Sequence, residues 1–255
     1  MMKEYLDNFT LGRVLWRSFF FQAAWNNQGM QNLGLASAIL PALEKIHGPG
    51  TEKTRETLIR YLEPFNTQPY MAGPILGYLI FAESSGQVNV FGIPRFSQFL
   101  SSVASAFAAI GDSFFWNAML PLAAVVAMFW ALSGHTAGAL IFLILYNIPH
   151  LAMRVMGFWI GCHKGLMVTS ALQHLELPRF TLLIRLFCSA VLGALAIWAQ
   201  MAYLSWIDPL TGLVVGVIIG PSLLLAAWGL KKSLPVETLI YGLLIGLLAF
   251  THLLD

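Results

Sequence analysis

The chain has 255 residues, 58% of them hydrophobic and 10% charged, with 14 Lys and Arg against 12 Asp and Glu. A soluble domain carries about 25% charged residues, so this composition excludes a soluble globular protein and implies an all-α polytopic membrane protein. The net charge of +2 is too small for a nucleic-acid partner.

The charge is uneven along the chain. Lys3, Arg13, Arg17, Lys45, Lys53, Arg55 and Arg60 place half of the basic residues before position 66. With the nearby acidic residues they make 1–66 a water-compatible segment of amphipathic, cytoplasmic or interfacial helices. The N-terminus lacks a short apolar stretch ending in a small-residue cleavage site, so no cleaved signal peptide is expected. The pattern predicts a long helical region over 13–46, broken near Gly29 and Gly34 and interrupted by Gln22, Asn26, Gln28, Gln31 and Asn32. HGPG at 47–50 is a turn. Residues 51–65 read as a water-facing amphipathic helix, with Glu56 and Arg60 four apart in the favourable order.

Residues 69–83 and 95–112 are apolar but shorter than the roughly 20 residues a span requires. Joined through ESSGQVNVFGIPR, they predict a re-entrant or interfacial hairpin over 67–112, which needs protein or a wet cavity around it. A transmembrane bundle over 113–255 follows, with about five spans near 114–132, 137–162, 181–206, 210–230 and 235–253. Pro149 predicts a kink beside His150. Lys164, Arg179 and Arg185 flank one loop, and Lys231 and Lys232 fill another. SGHTAG and SWIDP carry no Lys or Arg. The positive-inside rule then places 1–66 and GDSFFW (111–116) in the cytoplasm and Asp255 outside.

Few motifs carry chemistry. No P-loop, G-x-S-x-G or H-E-x-x-H occurs. His135, His150, His163 and His174 are scattered without ligand spacing. Cys162 and Cys188 form no C-x-x-C and read as small apolar residues. No catalytic residue, metal or cofactor is expected in this chain. Gly157 and Gly161 in GFWIGCHKG read as a close helix contact. Arg154, inside the second span, needs a partner or a wet cavity, or must snorkel to the surface, and Asp112 is the candidate partner.

Two amide-rich stretches stand apart, QAAWNNQGMQ (22–31) and FNTQP (65–69). Uncharged amides beside an aromatic suit a neutral polyol, since amides exchange paired hydrogen bonds with hydroxyls and a ring face covers the apolar side of a sugar. Gln22, Trp25, Asn26, Asn66, Thr67 and Gln68 are the candidate substrate-binding residues. Helix capping and interhelical amide pairing is the competing account of the same residues.

These stretches also carry a family resemblance. FFFQAAWNNQGMQNLGL, IRYLEPFNTQPYMAGPILG, GDSFFW and YNIPHLAMRVMGFWIGCHKG together resemble the IID subunit of the mannose/fructose/sorbose family of the bacterial phosphotransferase system. The resemblance runs in family order from residue 15 to about 170. It implies a multi-pass subunit of the bacterial inner (cytoplasmic) membrane that pairs with a IIC subunit, in a homo-oligomer of IIC–IID pairs, and carries a mannose-type hexose inward. A cytoplasmic IIB subunit, charged by IIA, phosphorylates the sugar. The pattern departs at Asn27, Gln28 and Gly29, where an aromatic, a Glu and a basic residue are usual. It departs again at Ser113, where a proline is usual, and in the short stretch 203–210. These departures keep open a second reading, a IID-like regulatory or signalling subunit with weak or no transport.

Overall fold

The computed structural model describes residues 6–204 and, beyond them, Leu225, Trp228, Lys231, Lys232 and Gly242. Apart from those single positions, the expected spans at 210–230 and 235–253 and the C-terminal end lie outside the described residues. The chain forms two units, Met1–Val191 and Leu192–Asp255; the first contains everything that follows except the end of the last helix.

Among the described residues the secondary structure is helical. It begins with α1 (Asn8–Ser18), whose N-cap Asp7 accepts from the Thr10 N–H at 2.8 Å. Residues 19–31 are turns rather than helix, and α2 runs Asn32–His47. The expected break at Gly29 is therefore wider than one residue, whereas Gly34 is no break and sits inside α2. It is small for a packing reason: a Cβ there would strike the carbonyl of Phe21. Next comes α3 (Glu52–Arg60), capped by the Thr51 side chain. The expected Glu56–Arg60 pairing along α3 is not the one found, because Arg60 turns inward to Glu83 at 3.3 Å.

A 3-10 turn, Pro69–Met71, leads into α4 (Ala72–Ser84), which is buried along almost its whole length. Burial all round explains why α4 is apolar on every face yet too short to span: it is a core helix. The short α5 (Gln87–Phe91) follows, then α6 (Ile93–Gly111), a π-helical segment (Asp112–Met119) and α7 (Leu120–Leu132). These last three are one continuous helical stretch of 40 residues, long and apolar enough to cross a membrane. The expected boundary at 112–113, with GDSFFW as a cytoplasmic loop, thus falls inside a helix. The helix passes through Gly111 and Asp112 as a wider π turn.

Two further segments reach spanning length, α8 (Gly138–Lys164) and a stretch over Met167–Leu195. The latter includes α9 (Met167–Gln173) and part of α10 (Leu177–Leu204). Pro149 is accommodated within α8 without ending it.

The core is built on α4 against α8. Gly73, Gly77, Gly157 and Gly161 let the two backbones touch. A Cβ at Gly161 would lie 2.6 Å from the Pro74 carbonyl oxygen, and one at Gly73 would strike the carbonyl of Arg154. The expected role of Gly157 and Gly161 as a close helix contact holds, and its partner is α4. Ile75, Leu76, Leu79, Phe158 and Cys162 fill the seam, and Leu35, Ile39 and Leu43 of α2 close it from the other side.

Candidate functional site

Residues 22–31 and 65–69 are far apart in sequence, and the fold fastens them together. Met30 bridges Phe65, with the Gln31 N–H donating to the Phe65 carbonyl at 2.9 Å and the Phe65 N–H to the Gly29 carbonyl at 3.2 Å. Gln31 adds a second clasp: its Nε2 donates to the Thr67 carbonyl at 2.8 Å and its Oε1 accepts from the Thr67 N–H at 2.9 Å. Both residues are 2% exposed, so these bonds replace water entirely for that peptide unit. The Thr67 hydroxyl donates to the Ala104 carbonyl of α6 at 3.1 Å. Sequence reasoning did not single out Gln31. Its signal was only that of one more polar residue in a run of amides.

The expected residues divide by role. Asn26 is a local cap: its Oδ1 accepts from the Gln28 and Gly29 N–H groups, and its Nδ2 donates to Asn32 Oδ1 at 3.0 Å. Gln68 is 1% exposed; its Oε1 accepts from the Tyr70 N–H at 2.6 Å and caps the 3-10 turn, as proline at position 69 requires of a residue held extended. Thr67 is structural. Gln22, Trp25 and Asn66 are exposed. Asn66 opens on a cleft of ≈ 780 Å³ between the 60–66 segment and α6, where Ser97, Gln98, Ser101 and Ser105 face it. Trp25, Asn26, Gln22 and Gln68 do not line that cleft.

Behind Arg60 and Tyr61, which line the cleft, Glu83 is buried at the end of α4. It accepts from the Tyr61 hydroxyl at 2.5 Å and pairs with Arg60, while His47 Nε2 stands 3.8 Å away. Burial pushes the Tyr61 hydroxyl well above its ordinary value, with the Glu83 carboxylate adding to the effect. Burial also pushes His47 below 6.5, and outweighs the opposing pull of Glu83. At 3.8 Å, with no hydrogen bond formed, His47 is a neutral neighbour of Glu83 rather than its ion-pair partner.

Arg154 does not pair with Asp112, nor does it snorkel. It is 5% exposed and donates to the Ser18 carbonyl at 3.1 Å and the Pro69 carbonyl at 2.9 Å. Its guanidinium lies 4.9 Å from the Phe19 ring centroid and 5.7 Å from that of Tyr70. Carbonyl dipoles and π faces hold the cation in place of a carboxylate, and in doing so they tie α1, the 3-10 turn and α8 together. Tyr70 also stacks on His150 at 4.1 Å and exchanges a hydrogen bond with the Tyr146 hydroxyl at 3.1 Å.

Spanning helices, a buried cation held by carbonyls and two amide-rich segments clasped beside an open cleft define a polytopic membrane subunit. Over residues 5–252 the sequence matches the PTS system mannose/fructose/sorbose family IID component. The chain belongs to that family. It is 33% identical over 162 residues to the mannose-specific EIID component of Escherichia coli (strain K12), covering 60% of this chain and 54% of that protein. To the fructose permease IID component of Bacillus subtilis (strain 168) it is 32% identical over 181 residues, covering 70% and 65%. The chain thus spans only about half to two thirds of the length of these curated relatives. Among solved structures it resembles a chain of the mannose transporter ManYZ in complex with microcin E492, at 26% identity and a TM-score of 0.58, over 96% of this chain and 97% of that one. A second membrane protein matches over the same shares at 26% identity with a TM-score of 0.70.

Proposed function

We propose that this chain is the IID half of a sugar permease. With a IIC partner it forms the path for a mannose-type hexose, which a IIB subunit, supplied by IIA, phosphorylates on arrival. The observation that carries the reading is the clasp between 22–31 and 65–69, which leaves the uncharged side chain of Asn66 free on a largely apolar cleft that Ser97, Gln98, Ser101 and Ser105 also line. The hydroxyls and amides on the cleft wall suit the hydroxyls of a neutral hexose and its apolar remainder suits the ring faces, while Arg60 and Glu63, also on the wall, carry opposite charges. The names of the relatives, mannose- and fructose-specific among them, support the substrate class. Asn66 is the proposed hydroxyl partner, and the exposed Trp25 and Gln22, which lie outside the cleft, are left to a partner surface.

The complex sits in the bacterial cytoplasmic membrane with the N-terminal segment and the basic 163–185 region on the cytoplasmic side, as the positive-inside rule directs. Pairs of IIC and IID assemble further into an oligomer. The family match extends beyond the departures at 27–29 and Ser113, and no observation favours the purely regulatory reading. The test is co-expression with IIC and purification of the pair. The pair is expected to bind mannose, and Asn66→Ala to weaken binding about 5- to 150-fold, the effect of one hydroxyl hydrogen bond, with yield unchanged. Unaltered affinity in well-folded Asn66→Ala complex would remove Asn66 from the site.

A further inference from the structure

A second cavity, of ≈ 370 Å³, opens between the end of α2, one face of α3 and the turn from α4 into α5. None of the residues that line it falls within the three segments of spanning length, and Lys53 on its wall is exposed, so water reaches it. Its charged or titratable groups are His47 from α2, Lys53 and Arg60 from α3, and Glu83 from α4. Lys53, Thr57 and Arg60 all line the cavity and share one face of α3.

Two cations face one carboxylate there, and the carboxylate is already committed. Glu83 accepts from the Tyr61 hydroxyl at 2.5 Å and from Arg60 at 3.3 Å. Among the described residues Lys53 makes no ion pair. His47 Nε2 is buried without a hydrogen-bond partner, on a side chain 10% exposed. Lys53 and Arg60 lie close enough to the imidazole for their charges to disfavour its proton. An unpartnered buried nitrogen and a cation without a counter-charge, on the wall of one cavity, call for an anion.

Three nitrogen-bearing side chains match the three terminal oxygens of a phosphate monoester, where a carboxylate offers two. The rest of the wall suits a polar body attached to that phosphate. Ser84 and Ser85 give their hydroxyl protons to the Phe81 carbonyl at 3.1 and 2.7 Å, which leaves their oxygens as acceptors, and the exposed Asn89 adds an amide. The volume lies in the range of small-molecule sites. We propose that this cavity binds a phosphate monoester of a small polyol, held by Lys53, His47 Nε2 and the Arg60 guanidinium. Arg60 also lines the cleft at Asn66, so an anion that draws Arg60 to itself changes the wall of that cleft. Filling the cavity therefore alters hexose affinity at Asn66, a linkage that, unlike the site, rests on the sugar-permease reading. The charges that face His47 are Lys53 and Arg60 on α3 and Glu83 on α4, with none from α5. A bound dianion favours the protonated ring, so binding tightens as pH falls from 8 to 6.5.

The experiment uses the complex co-purified with IIC, with inorganic phosphate and mannose 6-phosphate as probes and two variants. His47→Phe keeps a ring and loses Nε2. It is expected to weaken binding of both probes about 10- to 150-fold, the range for a hydrogen bond to a charged group. Lys53→Gln, which removes an exposed cation without touching the core, is expected to weaken it about 2- to 5-fold at unchanged yield. Mannose 6-phosphate is expected to bind more tightly than phosphate; equal affinity would overturn the part assigned to the polyol. The tightening between pH 8 and 6.5 should be smaller in His47→Phe, where only the probe titrates. Nanodiscs of phosphatidylcholine with and without phosphatidic acid separate the sources. Competition that His47→Phe abolishes assigns the site to a lipid headgroup, and lack of competition assigns it to a free phosphate. No binding to the wild type at millimolar probe, or wild-type affinity in both variants, would overturn the site. Mannose affinity unchanged by saturating phosphate would overturn the linkage alone. A complex that binds no mannose yet binds phosphate through His47 and Lys53 would sink the permease reading and leave the site standing.

Discussion

Replacing Gln31 by Leu keeps the volume of the side chain and removes both arms of the clasp on Thr67. The Thr67 N–H and C=O are then left buried, since Thr67 is 2% exposed and no water reaches it. Each orphaned backbone group costs about 1–3 kcal/mol, so the pair costs about 2–6 kcal/mol if the segment cannot relax. At about 2–4 °C per kcal/mol for a chain of this size, the melting temperature of the complex with IIC should fall by roughly 4–24 °C. Gln31→Glu is the informative control. Ionised, it sets a buried carboxylate against the Thr67 carbonyl with no compensating charge and should be no more stable than Leu at neutral pH, and it should regain stability at acid pH, where the protonated acid donates to that carbonyl. Hydrogen exchange reads the same event locally, because the Thr67 amide should lose protection in Gln31→Leu before the core amides of α4 do. A Gln31→Leu complex that melts with the wild type and keeps the Thr67 amide protected would refute the reasoning: the clasp would then be replaceable by packing alone.

Two further outcomes are expected. Gly73→Val places side-chain atoms where the Arg154 carbonyl stands, so it should abolish recovery of folded complex, measured by size-exclusion yield, whereas Gly12→Ala, with open space around it, should not. His47 is held neutral by burial below its ordinary 6.5, so the folded state binds its proton less readily than the unfolded one. The stability it contributes is present above about pH 6.5 and is lost as pH falls through 6.5 towards the lowered folded value; melting curves between pH 8 and 5.5 should show that loss, and His47→Gln should flatten it.

Much of the helical plan was legible in the sequence, because it rests on hydrophobic runs and on glycine punctuation. The amphipathic helix after Thr51 and the span around Pro149 stand where the patterns put them. The features that were not legible depend on partners distant in sequence. Gly34 and Gly111 look like breaks, yet they are small because Phe21 and Gln68 press against them. Asp112 and Arg154 have opposite charges and looked paired, but the guanidinium found backbone carbonyls, which carry no sequence signature. The amide stretches marked two segments that the fold fastens together. Which amides clasp backbone and which stay exposed could not be read from composition, since Gln31 and Gln22 are chemically identical and differ only in what folds against them.

The glycine seam between α4 and α8 has a mechanical consequence. The Pro74 ring rests on Gly157, while Gly77 fits among Phe158, Gly161 and Cys162. This is a ratchet with its teeth engaged: sliding either helix by one residue would drive a full side chain into a slot sized for hydrogen. Shear along this pair is therefore forbidden, and the two helices move as one rod. Motion of that rod relative to the helices around it is then hinged at its ends, at the 3-10 turn on one side and at Gly165, in its left-handed backbone conformation, on the other.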